Sequence, residues 1–318
     1  MKRLERSRVV LLFVVACAVA SGRAAKVSAQ TCGSDQACGS DSACVSNVPR
    51  SLFFVGAGAG LQVVASDEQS VTNTGISNVF NGTDLFSTGT ATGPPVTPTL
   101  KEKSDCVPLV QLGYFQHFGD IDWLWGVKYS YSYQDKTLAQ DNLIIPQFGT
   151  SSGPNLPTFT GFSVTRSYEV FMDHQMILLP FVGRSFKNSF VYAGAGPSLS
   201  RVGASLNDVV GFASLPTAPP PLSSIPIVDI SGRPQSDAQT QWAFGIAASV
   251  GATWFITPSW FLDISYSFSH PFPHTFHVEG PFRNDAFNPP FVLTGTLIGD
   301  YTAKVNTHSI TVSLNYGF

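Results

Sequence analysis

Hydrophobic and polar positions alternate along this chain in separated stretches, and the last of them is the most regular. In residues 307–318, Ile310, Val312, Leu314, Tyr316 and Phe318 fall on one face, and Thr307, Ser309, Thr311, Ser313, Asn315 and Gly317 fall on the other. A period of two is that of a β-strand whose two sides meet different surroundings. Seven earlier stretches repeat it. Residues 52–63 set Phe53, Val55, Ala57, Ala59, Leu61 and Val63 against Gly56, Gly58, Gly60 and Gln62. Residues 108–118 alternate around Val110, Leu112 and Tyr114. Residues 123–134 carry Trp123, Trp125, Val127, Tyr129, Tyr131 and Tyr133 on one side, with Gly126, Lys128, Ser130, Ser132 and Gln134 opposite. Residues 167–182 are less clean: Val170, Met172, His174, Met176 and Leu178 share a face, with Glu169, Asp173 and Gln175 opposite. Residues 189–201, 242–254 and 260–269 complete the set.

The connections have a rhythm of their own. Residues 67–105, 135–166, 202–238 and 271–300 show no period, are rich in Thr, Gly and Pro, and are predicted to be long loops. Between them stand short turns at 119–121, 183–188 and 257–259. Eight strands joined alternately by long and short links, with aromatic-rich apolar faces that a soluble protein would not expose, predict an all-β fold. It is a transmembrane antiparallel up-and-down β-barrel with four long outer loops and both termini at the short-turn end. Ten strands are possible if residues 291–299 form a hairpin of their own. The glycine faces of the first and fifth strands predict a narrow interior needing room for bulky groups.

Composition narrows this further. Charged residues are 12% of the 318, with 25 Phe and 28 Gly, and no run of 18 apolar residues follows the N-terminus. That excludes an ordinary helical membrane protein. Residues 1–29 read as a secretory signal: Lys2, Arg3, Arg6 and Arg8, then an apolar core from Val9 to Ala20. Cleavage sites are possible after Ala20 and after Ala29, the second favoured. Val14-Val15-Ala16-Cys17 loosely matches a lipoprotein box, but its apolar core is short for that cut. Cleavage after Ala29 leaves 12 basic against 20 acidic side chains, a charge of −8, which argues against nucleic acid as a partner. Residues 30–50 read as a disordered leader with Cys32, Cys38 and Cys44 spaced by six. The spacing fits no zinc pattern, and one short disulfide is the simpler expectation. Cys106, at the opposite end of the barrel, is expected not to pair with them.

Residues 51–318 resemble the opacity-protein and outer-membrane-protein-A-like β-barrel superfamily of Gram-negative bacteria. The resemblance rests on the glycine-alternating strands 52–63 and 190–199, on Thr257-Pro258-Ser259-Trp260 entering the seventh strand, and on the ending from His308 to Phe318. It implies a cell outer-membrane location with extracellular loops, and contact with outer-membrane lipid and lipopolysaccharide. It also implies insertion by the barrel-assembly machinery through a C-terminal signal that includes Tyr316 and Phe318. Members act as wall tethers, adhesins, immune-evasion surfaces or small pores. No peptidoglycan-binding segment follows the barrel here, so a tether role has no support.

Candidate chemistry is sparse. Lys128, Glu169, Asp173 and Asp263 are expected to point inward and form a polar network in the lumen, either a plug of paired charges or a narrow polar path. His270, His274 and His277 could hold a transition metal if the loop containing Pro271 and Pro273 brought them together, but no metal or other cofactor is the simpler expectation. His308-Ser309 and His174 lack a carboxylate placed for lipid-modifying catalysis, and no enzyme motif is present, so no catalytic residue is expected. An adhesin-like or structural surface role through the long loops, for an extracellular ligand the sequence does not name, is expected ahead of a passive porin-like channel.

Overall fold

A computed structural model describes residues 48–152, 158–215, 224–288 and 290–318. The signal segment, its cleavage sites, Cys32, Cys38, Cys44 and nearly all of the leader lie outside the described residues. Among the described residues there are thirteen strands. They are β1 (Ser51–Ser66), β2 (Val71–Asn81), β3 (Asp84–Thr92), β4 (Lys103–His117), β5 (Trp123–Ser151), β6 (Thr158–Ser185), β7 (Ser189–Ser214), β8 (Val228–Asp229), β9 (Gln235–Phe255), β10 (Trp260–Pro271), β11 (His274–Asn288), β12 (Phe291–Ala303) and β13 (Val305–Gly317).

Eight of these close a ring in the order β1–β4–β5–β6–β7–β9–β10–β13, every neighbour antiparallel, and they are the eight strands the alternation predicts. β13 closes it by pairing with β1 from Phe54↔Gly317 to Ser66↔Val305. Closure leaves no unpaired edge in this part of the sheet, which a membrane requires. At the lower end, taken as the end with the short connections, Gly119 turns the chain at φ 61° and the amide of Phe118 donates to the carbonyl of Trp123 at 2.9 Å.

The outward face of the ring has three zones. A lower girdle holds Phe53, Tyr114, Trp125, Trp254, Trp260 and Tyr316, with Phe53–Tyr114 rings 4.4 Å apart and Trp260–Tyr316 rings 5.1 Å apart. An upper girdle pairs histidines with aromatics: His174 Nδ1 lies 2.8 Å from Tyr131 Oη, and His308 Nδ1 lies 2.8 Å from Tyr266 Oη. Between the girdles most exposed residues are aliphatic, among them Val55, Leu112, Val182, Val191, Val250 and Val312, with Phe244 an aromatic exception on β9. The girdles stand eight residues apart on β13 (308 to 316) and twelve apart on β9 (242 to 254). At roughly 3.3 Å per residue and a tilt of ~40°, that is about 20–30 Å of height, the hydrocarbon band of a bilayer barrel.

Two expectations are corrected. The four long connections are not irregular loops. β5, β6, β7 and β9 run on past the upper girdle, and two hairpins, β2–β3 and β11–β12, join them. The resulting order in this upper wall is β11–β12–β2–β3–β5–β6–β7–β9. The stretch 291–299 does form a hairpin strand, but in this wall and not in the ring, which stays at eight. The physical reason is a set of β-bulges. Asp135, Asn142 and Asp208 take positive φ of 45°, 55° and 52°. At Asn142 and Asp208 the inward parity is exchanged, from Leu138 to Leu143 on β5 and from Leu206 to Val209 on β7, whereas across Asp135 it is kept, Gln134 and Lys136 both being buried.

The glycines of β1 also have a different reason. A Cβ at Gly58 would stand 2.1 Å from the carbonyl oxygen of Val312, and one at Gly56 would stand 2.8 Å from that of Leu314. It is the neighbouring strand β13 that needs the room, by its backbone at Gly58 and by the side chains of Asn315 at Gly56 and Thr311 at Gly60, not bulky groups from across the barrel.

Candidate functional site

The interior is built in layers. At the lower end Phe54, Phe115, Phe190, Phe255 and Phe261 fill the lumen, with ring centroids 5.1 Å apart for Phe115–Phe190, 4.9 Å for Phe255–Phe261 and 5.3 Å for Phe54–Phe261. These residues occupy the inward phase of short alternating strands, where small or polar residues would leave water a path.

Directly above lies a buried charge cluster. Lys128 Nζ on β5 is 3.1 Å from Asp263 Oδ2 on β10, with side chains 7% and 4% exposed. Lys128 also donates to the hydroxyl of Tyr192 on β7, and its ammonium sits 4.7 Å from the centroid of that ring. The Tyr192 hydroxyl donates to Asp263 Oδ1 at 3.0 Å. Thr253 Oγ1 donates to the same oxygen at 3.4 Å, and Gln111 Nε2 reaches Oδ2 at 3.3 Å. Gln111 Nε2 also lies 2.7 Å from Asn315 Oδ1 and 2.8 Å from Ser313 Oγ. Three further ring strands, β4, β7 and β9, therefore supply partners to the pair that joins β5 and β10, and β13 holds Gln111 in place. That is the arrangement a buried pair needs to offset its lost hydration.

A cavity of ≈ 30 Å³ follows, lined by Ser130, Ser132, Ser249, Ser265 and Thr311 together with Val107, Leu109 and Leu179. Its ceiling is a glutamine cluster. Gln134 Nε2 donates to Gln175 Oε1 at 3.0 Å, Gln62 Nε2 to the same oxygen at 3.3 Å, and Gln175 Nε2 to Thr307 Oγ1 at 3.0 Å. Above it the lumen turns apolar again around Val170, Met172, Tyr168, Leu206, Phe276 and Tyr301. Tyr168 donates to the carbonyl of Thr302 at 2.9 Å and Tyr301 to Asp237 Oδ2 at 3.2 Å. Burial pushes the phenols of both Tyr168 and Tyr301 well above their ordinary pKa, and Asp237 adds to it at Tyr301.

Of the four lumen residues expected from sequence, the structure brings Lys128 and Asp263 together. Glu169 and Asp173 lie elsewhere. Asp173 sits at a register shift between Met172 and His174, and pairs with Arg201 at 3.5 Å. Below that shift Gln175 and Leu179 face inward, and above it Val170 and Met172 do. Val170 and Met172 are thus core residues and not lipid-facing. Glu169 accepts from Ser167 Oγ at 3.3 Å and stands away from Lys128's network. Sequence reasoning missed Tyr192 and Gln111. Each is a large polar residue on an otherwise small or apolar inward face, and that was the available signal. A second buried cation, Lys136, pairs with Asp105 at 2.7 Å.

The three histidines go to separate partners. His270 Nδ1 bonds Asn306 Oδ1, His277 Nδ1 lies 2.6 Å from Asp300 Oδ1, and the His274 ring packs on Phe276 at 4.8 Å. Among the described residues no group of three metal-binding side chains forms. The segment expected to be a loop is only Phe272-Pro273 between β10 and β11. Cys106 is exposed and free of any disulfide among the described residues. Tyr316 packs in the lower girdle, and Phe318 stacks on Phe53 at 6.5 Å while its amide donates to the carbonyl of Phe53 at 2.9 Å.

No protein-family model and no curated protein matches the chain. Among solved structures it is similar to Neisserial surface protein A, at 11% identity and a TM-score of 0.33, over 84% of this chain and 97% of that one. It is similar to the outer membrane protein OprG from Pseudomonas aeruginosa, at 10% identity and a TM-score of 0.34, over 86% and 98%. It is also similar to Ail, the attachment invasion locus protein of Yersinia pestis, in complex with the heparin analogue sucrose octasulfate. That match has 10% identity and a TM-score of 0.27, over 81% and 99%. The fold described above rests on the strand ladders of this chain.

Proposed function

We propose that the protein is an outer-membrane surface protein with a structural or interaction role, whose barrel is an anchor and not a conduit. The observation that carries this reading is the double seal of the lumen, by phenylalanines below the Lys128–Asp263 cluster and by the Tyr168–Tyr301 core above it. A transport path would need both seals to part. The wall beyond the upper girdle is instead built as paired strands, which hold a surface in fixed shape. In this reading that wall is extracellular, the short turns are periplasmic, and the partners at the membrane are outer-membrane lipid and lipopolysaccharide. A passive channel is the second reading, favoured by the polar cavity between the seals.

Planar-bilayer recording separates the two. The purified protein is expected to give no single-channel current, and a steady ionic current from the wild type would establish the channel instead. The interaction role has its own test. β11 and β12 are outside the closed ring. Replacing residues 274–303 by a short turn is expected to leave heat-modifiable gel migration intact and to abolish adhesion of cells displaying the protein. Unchanged adhesion would remove the role from this wall.

A further inference from the structure

The outward face of the upper wall differs from one side to the other. On β12, β2 and β3 the ladder rows Thr294–Asn78–Thr88, Thr296–Ile76–Thr90 and Ile298–Thr74–Thr92 are mostly hydroxyls and an amide, and Thr74 Oγ1 lies 3.1 Å from Thr92 Oγ1. That is how a sheet facing water is built. On β5, β6 and β7 the rows are Ile144–Val164–Val210 and Pro146–Phe162–Phe212, with Phe148 above them. Ile144 and Phe148 are 56% and 60% exposed, and the half-buried Phe162 and Phe212 rings stand 5.4 Å apart. Ile227, beside β8, carries the face past β7 and is exposed. Four strands at ~4.8 Å spacing and three rows give a patch about 20 Å wide and 15 Å tall, roughly 300 Å² in plan. Contiguous apolar surface of that size marks a contact.

Lipid does not cover it. Between His174 of the upper girdle and Val164 of the patch, the outer face presents Asp173 paired with Arg201 at 3.5 Å, then Glu169 and Asp141, then Arg166 paired with Asp208 at 3.2 Å. Hydrocarbon reaching the patch would have to bury this charged collar. The patch also lies on the flank of the wall and not on its rim, so whatever covers it stands beside the barrel.

Charge selects the occupant. Arg166 and Asp208, 78% and 43% exposed on their side chains, sit side by side on β6 and β7 at the lower border of the patch. An upright two-fold axis between these strands sets Phe162 and Phe212 of one copy on Phe212 and Phe162 of another. The same axis brings each Arg166 to the other copy's Asp208. The border is thus self-complementary, as an isologous contact requires. Two barrels in one membrane share an up direction and a height, so the same rows meet. Confinement to a plane also raises the effective concentration that so small a face needs.

We infer that the apolar flank of β5, β6 and β7 is an interface with a second copy of this chain, formed outside the membrane and bordered by reciprocal Arg166–Asp208 pairs. The interface goes beyond the surface role proposed above and rests on that reading only in placing the wall outside lipid. Energy transfer between full-length barrels labelled at the N-terminus with donor or acceptor, mixed in phosphatidylcholine vesicles and diluted with lipid, tests it. The wild type is expected to transfer well above the random level for its surface density. Phe212→Ser should weaken association at least ~tenfold, with little change in urea unfolding measured at a lipid dilution where the wild type is monomeric. Arg166→Asp and Asp208→Lys should each associate poorly alone, because like charges then meet across the axis. Mixing the two variants makes every cross-axis pair opposite, and should restore association to within ~threefold of wild type. Gel migration confirms that each variant is folded. Random-level transfer by the wild type overturns the interface and leaves the face to a different occupant. So does wild-type association of a folded Phe212→Ser, or a mixture no better than either charge variant alone. Unfolding of Phe212→Ser at much lower urea under the same dilution would instead put the face in lipid, overturning the placement of the wall and the interface with it.

Discussion

Replacing Lys128 by methionine is expected to destabilise the folded barrel by about 3–5 kcal/mol, because it strands a buried carboxylate without its cation. Asp263 is 4% exposed on its side chain, and its oxygens are turned into the cluster of Tyr192, Thr253 and Gln111. Those groups donate hydrogen bonds but carry no positive charge. The loss is in the stranding and not in the pair itself, so Lys128→Met combined with Asp263→Leu should recover most of the stability. Urea titration in phospholipid vesicles, followed by the shift of folded to unfolded bands on a gel, measures both. A single variant within 1 kcal/mol of wild type would mean that water reaches Asp263 freely, and the sealed lumen would be wrong.

Gly58→Ala is the second large effect, and its cause is steric. The added methyl would stand 2.1 Å from the carbonyl oxygen of Val312 and 2.6 Å from the Cα of Ser313. Both atoms are backbone of β13, so no rotamer change relieves the contact. β1 and β13 are the strands that close the ring, so the strain falls on closure itself. A cost of at least ~3 kcal/mol is expected, at the upper end for overpacking because backbone must move. Heat-modifiable migration of Gly58→Ala should be lost or shifted to much lower urea. Gly75→Ala, with open space around its new methyl, is the matched control and should behave as wild type. Equal stability of the two would contradict the close approach of β1 and β13.

The ring strands were legible because lipid and lumen impose opposite demands on successive residues. Val312 and Ser313 cannot exchange places without putting a hydroxyl in hydrocarbon. Beyond the girdles that contrast fades. In β2, Val71 and Asn73 are buried while Gly75 to Phe80 are exposed or partly exposed on both faces, so no period survives for a scan to find. The irregularities at Asn142 and Asp208 then break the phase of β5 and β7 within single long strands. The same effect at Asp173 misplaced Glu169 and Asp173 while leaving Lys128 and Asp263, on regular segments, correctly oriented. Tyr192 was hidden differently. It lies among the glycines and alanines of 190–196, where composition signals close strand packing and draws attention away from one polar ring.

The central claim is that the lipid band lies between two aromatic girdles and that the strands continue beyond it into water. Spin-label scanning along β5 and β9 in reconstituted vesicles tests it most directly, by comparing collisions with oxygen and with a water-soluble nickel chelate. Labels at Ile246 and Val250 should favour oxygen strongly. Labels at Ile144 and Phe148, equally apolar and 56% and 60% exposed, should favour the nickel reagent. Oxygen-dominated collisions at Phe148, or nickel access at Val250, would contradict it.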